Sequence, residues 1–202
     1  MARYTGPKHR LCRREGSAIC GLAKCPVIRR NAAVPGQHGA NLRRKPTEYS
    51  LQLREKQKAK RTYGVLEKQF RRIFTIADRS PKPTGAYLLS LMESRLDNVI
   101  YRLGFANTRP FARQIVSHGH VLVDGKKVNI PSYMVKTGQT VTLAPKFLST
   151  LQLKQTLEDL KNHQVPVWLE RKSVVGKVNR LPERDEIKEE INEQLIVEFY
   201  SR

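Results

Sequence analysis

Four residues near the start of the chain, His9, Cys12, Cys20 and Cys25, have the types and spacing to hold a metal ion, H-x2-C-x7-C-x4-C. One imidazole and three thiolates form an accepted tetrahedral zinc set, and Gly16 and Gly21 supply turns between the ligands. The same residues also admit a plainer reading: three reduced thiols and a histidine facing a nucleic acid, in a flexible basic arm. An iron–sulfur cluster, which usually takes four cysteines, fits the set less well. Arg10, Arg13, Arg14, Arg29 and Arg30 surround the four, and Arg43 and Arg44 follow. Residues 1–46 are rich in Gly, Pro and Arg and lack a sustained apolar period, so they bury too little to fold unaided. The expectation is a disordered arm without metal and a compact knot around one zinc with it.

The other reactive side chains do not assemble into a catalytic set. His9, His38, His118, His120 and His163 have no Asp or Glu at a suggestive spacing, and neither a G-x-S-x-G nor a P-loop occurs. The chain is therefore expected not to be an enzyme and to take no small-molecule substrate.

Charge points to a different task. The 202 residues hold 38 Lys+Arg against 18 Asp+Glu, a net charge of +20 and a pI near 10.3. Such an excess repels itself in the folded state and is usually explained by a polyanionic partner, with nucleic acid first and an anionic membrane surface as the rival. No apolar run approaches the ~20 residues of a spanning helix, and no secretory segment follows Met1, so no membrane partner is expected. An odd set of three cysteines agrees with a reducing cytosol. Residues 1–72 carry 19 bases and 4 acids, whereas 183–202 carry 3 bases and 7 acids. The front is expected to bind the polyanion and the tail to meet protein.

The elements that position these charges follow from periodicity. Thr47 caps a helix running to Gly64, with Arg54, Lys58 and Arg61 on one face and almost no acids beside them. In the next helix Leu66, Phe70, Ile73 and Ala77 form an apolar stripe, opposite Arg71 and Arg72. A third helix from Thr84 buries Tyr87, Leu88 and Leu91, and Ser94 caps a fourth. There Leu96, Val99, Ile100 and Leu103 pack, while Arg95, Asn98 and Arg102 face outward toward a polyanion. Thr108 caps a helix with Pro110 in its first turn and Gly119 at its end; Phe111, Ile115 and Val116 point inward and Arg109, Arg113 and His118 outward. An alternating strand carries Val121 and Val123 into Asp124-Gly125, a hairpin turn that presents Lys126 and Lys127. Val135 to Leu143 is a further strand broken at Thr137-Gly138, Leu153, Leu157 and Leu160 line a short helix, and Val165 to Leu169 and Val174 to Val178 extend the sheet around a core Trp168. The tail places Ile191, Leu195 and Phe199 on one helical face after an Asn192 cap, although Leu195 to Tyr200 also alternates like a strand.

The fold expected is α+β: a basic arm (1–46) with a zinc knot, a helical domain (47–92) completed by the tail 184–202, and a module of helices and antiparallel sheet over 93–183 that binds RNA. Several motifs are recognisable within it. ESRLDNVIYRLGFA, TRPFARQIVSHGHVLVDGKKVNIPSY, PGQHG at Pro35 to Gly39, LREKQK at Leu53 to Lys58 and the terminal NEQLIVEFYSR together resemble the bacterial-type ribosomal protein S-four family of the small ribosomal subunit, from the MARY start to Arg202. That resemblance implies a structural rRNA-binding protein that nucleates assembly of the subunit body and influences translational accuracy. It also implies neighbouring ribosomal proteins, nearby mRNA where it enters the subunit, and a place in the ribosome of the cytoplasm or of an organelle. RNA contacts carry over to Arg95, Asn98, Arg102, Arg109, Arg113, His118 and His120, to Gln37 and His38 of the PGQHG loop, and to Arg54 and Lys58. Pro110 stands where the family often has a polar or basic residue. Metal-binding members have two CxxC-like pairs, whereas here His9 replaces the first Cys and the loop from Cys12 to Cys20 is short. The alternatives are an accessory module of an RNA-modifying enzyme, for which the chain leaves no room for a catalytic domain, and another RNA- or DNA-binding regulator.

Overall fold

The computed structural model describes residues 4–22, 24–30, 33–39, 45–159 and 163–201. The chain divides into two compact units, Met1–Gly85 with Glu189–Arg202, and Ala86–Lys188. These limits differ from the boundaries expected at 93 and 184. The second difference has a local cause: Arg180 forks onto both oxygens of Glu186 at 2.8 and 2.6 Å and so ties 184–188 to the end of the sheet.

In the first unit the arm is not featureless. It contains α1 (Lys8–Glu15) and α2 (Pro26–Arg30); α1 ends at Gly16 with φ 64°, a left-handed conformation that glycine adopts without strain. Apolar periodicity does not reveal α1 because its buried side chain is a cysteine: Cys12 and Cys25 are wholly buried. Helix α3 (Glu48–Thr62) begins as its sequence requires, with Thr47 Oγ1 accepting from Ser50 N–H at 3.3 Å. Helix α4 (Glu67–Asp78) buries Phe70, Ile73, Phe74 and Ala77. Leu66, expected in that stripe, occupies the N-cap outside the helical phase and is 41% exposed; Phe74 takes its place.

The tail is helical, and α10 (Glu193–Tyr200) packs on α3. Asn192 accepts from the N–H groups of Gln194 and Leu195, which favours helix over the alternating pattern. Ile196 is its buried residue and Ile191 is buried just ahead of it, whereas Leu195 and Phe199, expected there, are half-buried. Lys56 lies 4.4 Å from the Phe199 ring centroid and donates to Glu67 at 2.9 Å, and the Tyr200 hydroxyl donates to Glu67 at 2.8 Å. Burial would raise the Glu67 carboxyl, but the hydrogen bonds from Lys56, Lys60 and Tyr200 outweigh it and hold it down to about 2.

The second unit starts within α5 (Thr84–Glu93), which buries Leu88, Leu89 and Met92; Tyr87 and Leu91 are only half-buried, one residue off the expected face. Helix α6 (Leu96–Arg102) has no side-chain cap. Ser94, expected to cap it, donates instead to Ser90 O, because the first amides of α6 already have backbone partners: Leu96 N–H on Tyr133 O and Asp97 N–H on Pro131 O. Helix α7 (Arg109–Ser117) starts at Thr108, whose hydroxyl accepts from Phe111 N–H, with Pro110 in its first turn.

The sheet has strands β1 (Val121–Val123), β2 (Lys126–Lys127), β3 (Thr140–Leu143), β4 (Leu169–Lys172) and β5 (Val175–Val178) in the order β2-β1-β3-β5-β4, all neighbours antiparallel. Val123 pairs with Lys126 across Asp124 (φ 49°) and Gly125 (φ 77°), the two-residue turn whose twist suits a hairpin. Strand β3 begins only at Thr140, after the Lys136 to Gln139 turn; Val135 instead bonds Ser94 O. Strand β4 begins at Leu169 rather than Val165 because Leu169 N–H turns back onto Pro166 O. Between sheet and helices sit Leu96, Ile100, Leu103, Ile115, Val121, Val141 and a 1%-exposed Trp168. Gly176 lets this packing close: a Cβ there would lie 2.3 Å from Leu103 Cδ1. Helices α8 (Pro145–Leu148) and α9 (Leu151–Asp159) complete the unit; Leu153 is buried and Leu157 half-buried, while Leu160 lies outside the described residues. No helix among the described residues is long and apolar enough to cross a membrane.

Glu67 makes acid a selective probe of the first unit. Its carboxyl is depressed in the folded chain, so its stabilising effect is complete above pH about 4.5 and is lost as pH falls toward about 2. The side chain is 45% exposed, so screening by water limits the effect to about 1 kcal/mol. Urea unfolding of Glu67→Gln is expected to be less pH-dependent over that range than wild type; identical pH profiles would refute the assignment.

Candidate nucleic-acid interface and metal centre

The four sulfur and nitrogen side chains converge. Helix α1 puts His9 and Cys12 three residues apart on one face, Cys20 lies just before the positive-φ Gly21, and Cys25 lies just before α2. One ligand atom from each lies within 4.8 Å of all the others, with Cys20 Sγ 3.9 Å from His9 Nδ1. A tetrahedral zinc with Zn–S near 2.3 Å needs sulfur atoms about 3.8 Å apart, so the cluster fits a closed four-ligand site after small adjustments. Burial, together with the Cys20 and Cys25 thiols, pushes Cys12 up to about 12, so in the absence of a cation it stays protonated. A bound divalent ion reverses that balance. Around the cluster Arg10, Arg14, Arg29 and Arg30 are exposed, while Arg13 Nε donates to Ala33 O at 2.8 Å. Gln37 and His38 are exposed in the loop closed by Gly39 N–H on Gly36 O; Arg43 and Arg44 lie outside the described residues.

The basic face of α3 is less open than its sequence implies. Arg54 donates to Glu15 at 3.2 Å, Arg61 also donates to Glu15, and Lys58 lies 3.7 Å from Glu55. The expectation of a face without acids is thus corrected: Glu15 is distant in sequence and arrives through α1. On α4, Arg71 and Arg72 are exposed.

In the second unit the polar side of α6 and α7 is a buried ionic network. Arg95 and Asn98, expected to face outward, are 1% and 2% exposed, and Arg113 is buried as well. Arg95 forks onto Asp97 at 3.1 and 2.7 Å, and Arg113 reaches the same carboxylate at 3.4 Å. Arg102 forks onto Glu93 at 2.8 and 2.7 Å, and Asn98 Nδ2 donates to Glu93 at 2.7 Å. Asn98 Oδ1 in turn accepts from Arg109 Nε at 2.8 Å, and the Arg109 guanidinium sits 4.6 Å from the Tyr101 ring centroid. Glu93 and Asp97 escape the sequence reading because an acid beside a polyanion site is expected only to repel. The alternation Glu93, Arg95, Asp97 is the signal that could have found them. Arg102 and Arg109 reach the half-exposed rim, and His118, Lys126 and Lys127 are exposed. His120 stacks on Phe147 with centroids 4.6 Å apart; burial first, then His118 and Lys127, lower its pKa. Chemically this is a preorganised set of guanidinium, imidazole and ammonium groups beside flat rings, suited to phosphates and unpaired bases.

Comparison with known proteins fits this architecture. The S4 domain family model matches residues 94–141, the α6–α7 pair and hairpin, and the model for the ribosomal protein S4/S9 N-terminal domain matches residues 3–93. An S4-domain protein with that N-terminal partner is the class the chain falls into. Over the full length of both chains it is 54% identical to small ribosomal subunit protein uS4A of Symbiobacterium thermophilum, 56% to uS4 of Dictyoglomus turgidum and 54% to uS4 of Parabacteroides distasonis. The chain belongs to the uS4 family of small ribosomal subunit proteins.

Removing one partner of a buried ion pair leaves the other charged and dry, at a cost of about 3–5 kcal/mol. Glu93→Ala, which removes the buried carboxylate that Arg102 forks onto and Asn98 donates to, is expected to lose that much stability in urea unfolding. A loss under about 1 kcal/mol, the range of an exposed pair, would refute the network.

Proposed function

We propose that this chain is a non-catalytic structural protein of the small ribosomal subunit that binds its rRNA, nucleates assembly of the subunit body and influences translational accuracy where mRNA enters. The observation that carries it is full-length identity above one half to proteins named as small ribosomal subunit proteins. The charge of +20 and the exposed bases of both units support a polyanionic partner. Arg71, Arg72, His118, Lys126, Lys127, Gln37 and His38 make the outer contacts in this proposal, with Arg54, Lys58, Arg61, Arg102, Arg109 and His120 at the rim. Arg95, Asn98 and Arg113 act beneath them by fixing the rim. Helical RNA hides its major groove, so recognition rests on phosphates and shape rather than on base edges. The acidic tail, which repels phosphate, contributes through α3 and through neighbouring proteins. In the cell the protein resides in the ribosome, and it is expected to co-sediment with small subunits; sedimentation apart from them would overturn the proposal.

The same proposal assigns one structural zinc to His9, Cys12, Cys20 and Cys25. Bound there it would supply cross-linking rather than chemistry, since four protein ligands leave no position for substrate.

RNA binding and metal content can be measured separately. Lys126→Ala/Lys127→Ala is expected to weaken binding of a small-subunit rRNA fragment by about 1–3 kcal/mol and to lower the salt slope by about 0.7–0.9 for each phosphate that is no longer neutralised. An unchanged slope would remove both lysines from the interface. Elemental analysis of untagged protein is expected to find one zinc per chain; under about a tenth of an equivalent, with three titratable thiols, leaves a metal-free arm.

A further inference from the structure

We propose that Glu15 is a positioning residue that couples metal loading of the arm to the basic face of α3, by clasping Arg54 and Arg61 with a carboxylate carried on the metal-binding helix. The proposal rests on the zinc assignment above and extends it to the rest of the unit.

Glu15 is the one acid among residues 1–46, which hold eleven Lys and Arg. An acid placed by chance in such a segment would sit at the surface beside the nearest base. This side chain is instead 1% exposed, and its Oε1 accepts from Arg54 Nη1 and Arg61 Nη1, on a helix more than thirty residues away. Burial raises its pKa and outweighs the opposing pull of Arg54, Arg61 and Arg14, so the clasp rests on the contacts themselves.

Its position on α1 supplies the coupling. Glu15 follows Cys12 by three residues, a spacing that sets two side chains side by side on a helix. Among the described residues of the arm, Cys12 and Cys25 are the only ones buried as whole residues, and the Glu15 side chain is buried as well. Helix α1 therefore has two anchors, the ligand cluster at one end and the Glu15 clasp at the other. An eight-residue helix does not hold itself together in water, so loosening either anchor frays it and weakens the other. Metal binding and clasp closure each favour the same ordered α1, and by linkage each tightens the other by an equal factor. With metal bound, Arg54 and Arg61 are held in one orientation; without it they are released together with the acid that restrains them. The face of α3 thus reports the metal state of the arm.

The test measures zinc affinity of the full chain by competition with a chromogenic chelator, for wild type, Glu15→Gln, Arg54→Gln/Arg61→Gln and all three changes together. Each of the two partial variants is expected to bind zinc about tenfold more weakly, and the combined variant no more weakly than either. Equal affinity in wild type and Glu15→Gln overturns the clasp, as do fully multiplicative losses. A wild-type chain that takes up no zinc overturns the metal assignment itself, a distinct result. Amide exchange of wild type needs no variant to fold: zinc added to the chelator-treated chain is expected to slow exchange in residues 48–62 as well as 8–15. Protection confined to residues 8–30 overturns the coupling.

Discussion

The carboxylate buried among guanidiniums is the interaction on which the structure of this chain depends. Thirty-eight cations on 202 residues repel one another, and a fold that left all of them to solvent would hold their long side chains in no particular place. Glu93 and Asp97 in one unit and Glu15 in the other each gather two or more cationic or amide partners at hydrogen-bond distance. Burying a charge is costly, and a pair repays the cost only with good geometry; the forked contacts of Arg95 and Arg102 have it, because a planar guanidinium matches a carboxylate at two points.

That arrangement separates two jobs which composition merges. Some bases, such as Arg95 and Arg113, are held inside and give the α6–α7 surface its shape. Others, such as Lys126, Lys127, Arg71 and Arg72, remain at the surface. In the proposed complex a phosphate partner meets the second group, while Arg102 and Arg109 at the rim are oriented by Glu93 and by Asn98. Arg109 is held between Asn98 and the Tyr101 ring, which limits the freedom it would otherwise lose on binding.

The arm solves a different problem. Among its described residues only Cys12 and Cys25 are fully buried, and α1 is too short to persist alone. Convergence of His9, Cys12, Cys20 and Cys25 gives it a centre built from ligand atoms, and Glu15 joins that centre to α3. The tail reaches the same helix by ordinary means: Ile196 is buried, and the Phe199 and Tyr200 rings pack about Lys56 and Phe74.

Much of this was legible in the residues. The Thr47 and Thr108 caps, the Asp124-Gly125 hairpin, the Leu96 to Leu103 stripe, the core Trp168 and the spacing of the four candidate ligands are local patterns, and local patterns survive folding because they satisfy backbone and burial requirements within a few residues. The tail cap at Asn192 belongs with them. What the tertiary structure alone decided was which charges face water. Helical spacing separates the Arg95 side of α6 from the Leu96 side, but it does not reveal that Glu93, Asp97 and Arg113 enclose the Arg95 side. Nor does it reveal that Glu15 crosses to α3 or that Leu169 N–H turns onto Pro166 O. The physical reason is range: periodicity reports a residue's phase on its own element, whereas the burial of a charge depends on a partner brought by another element.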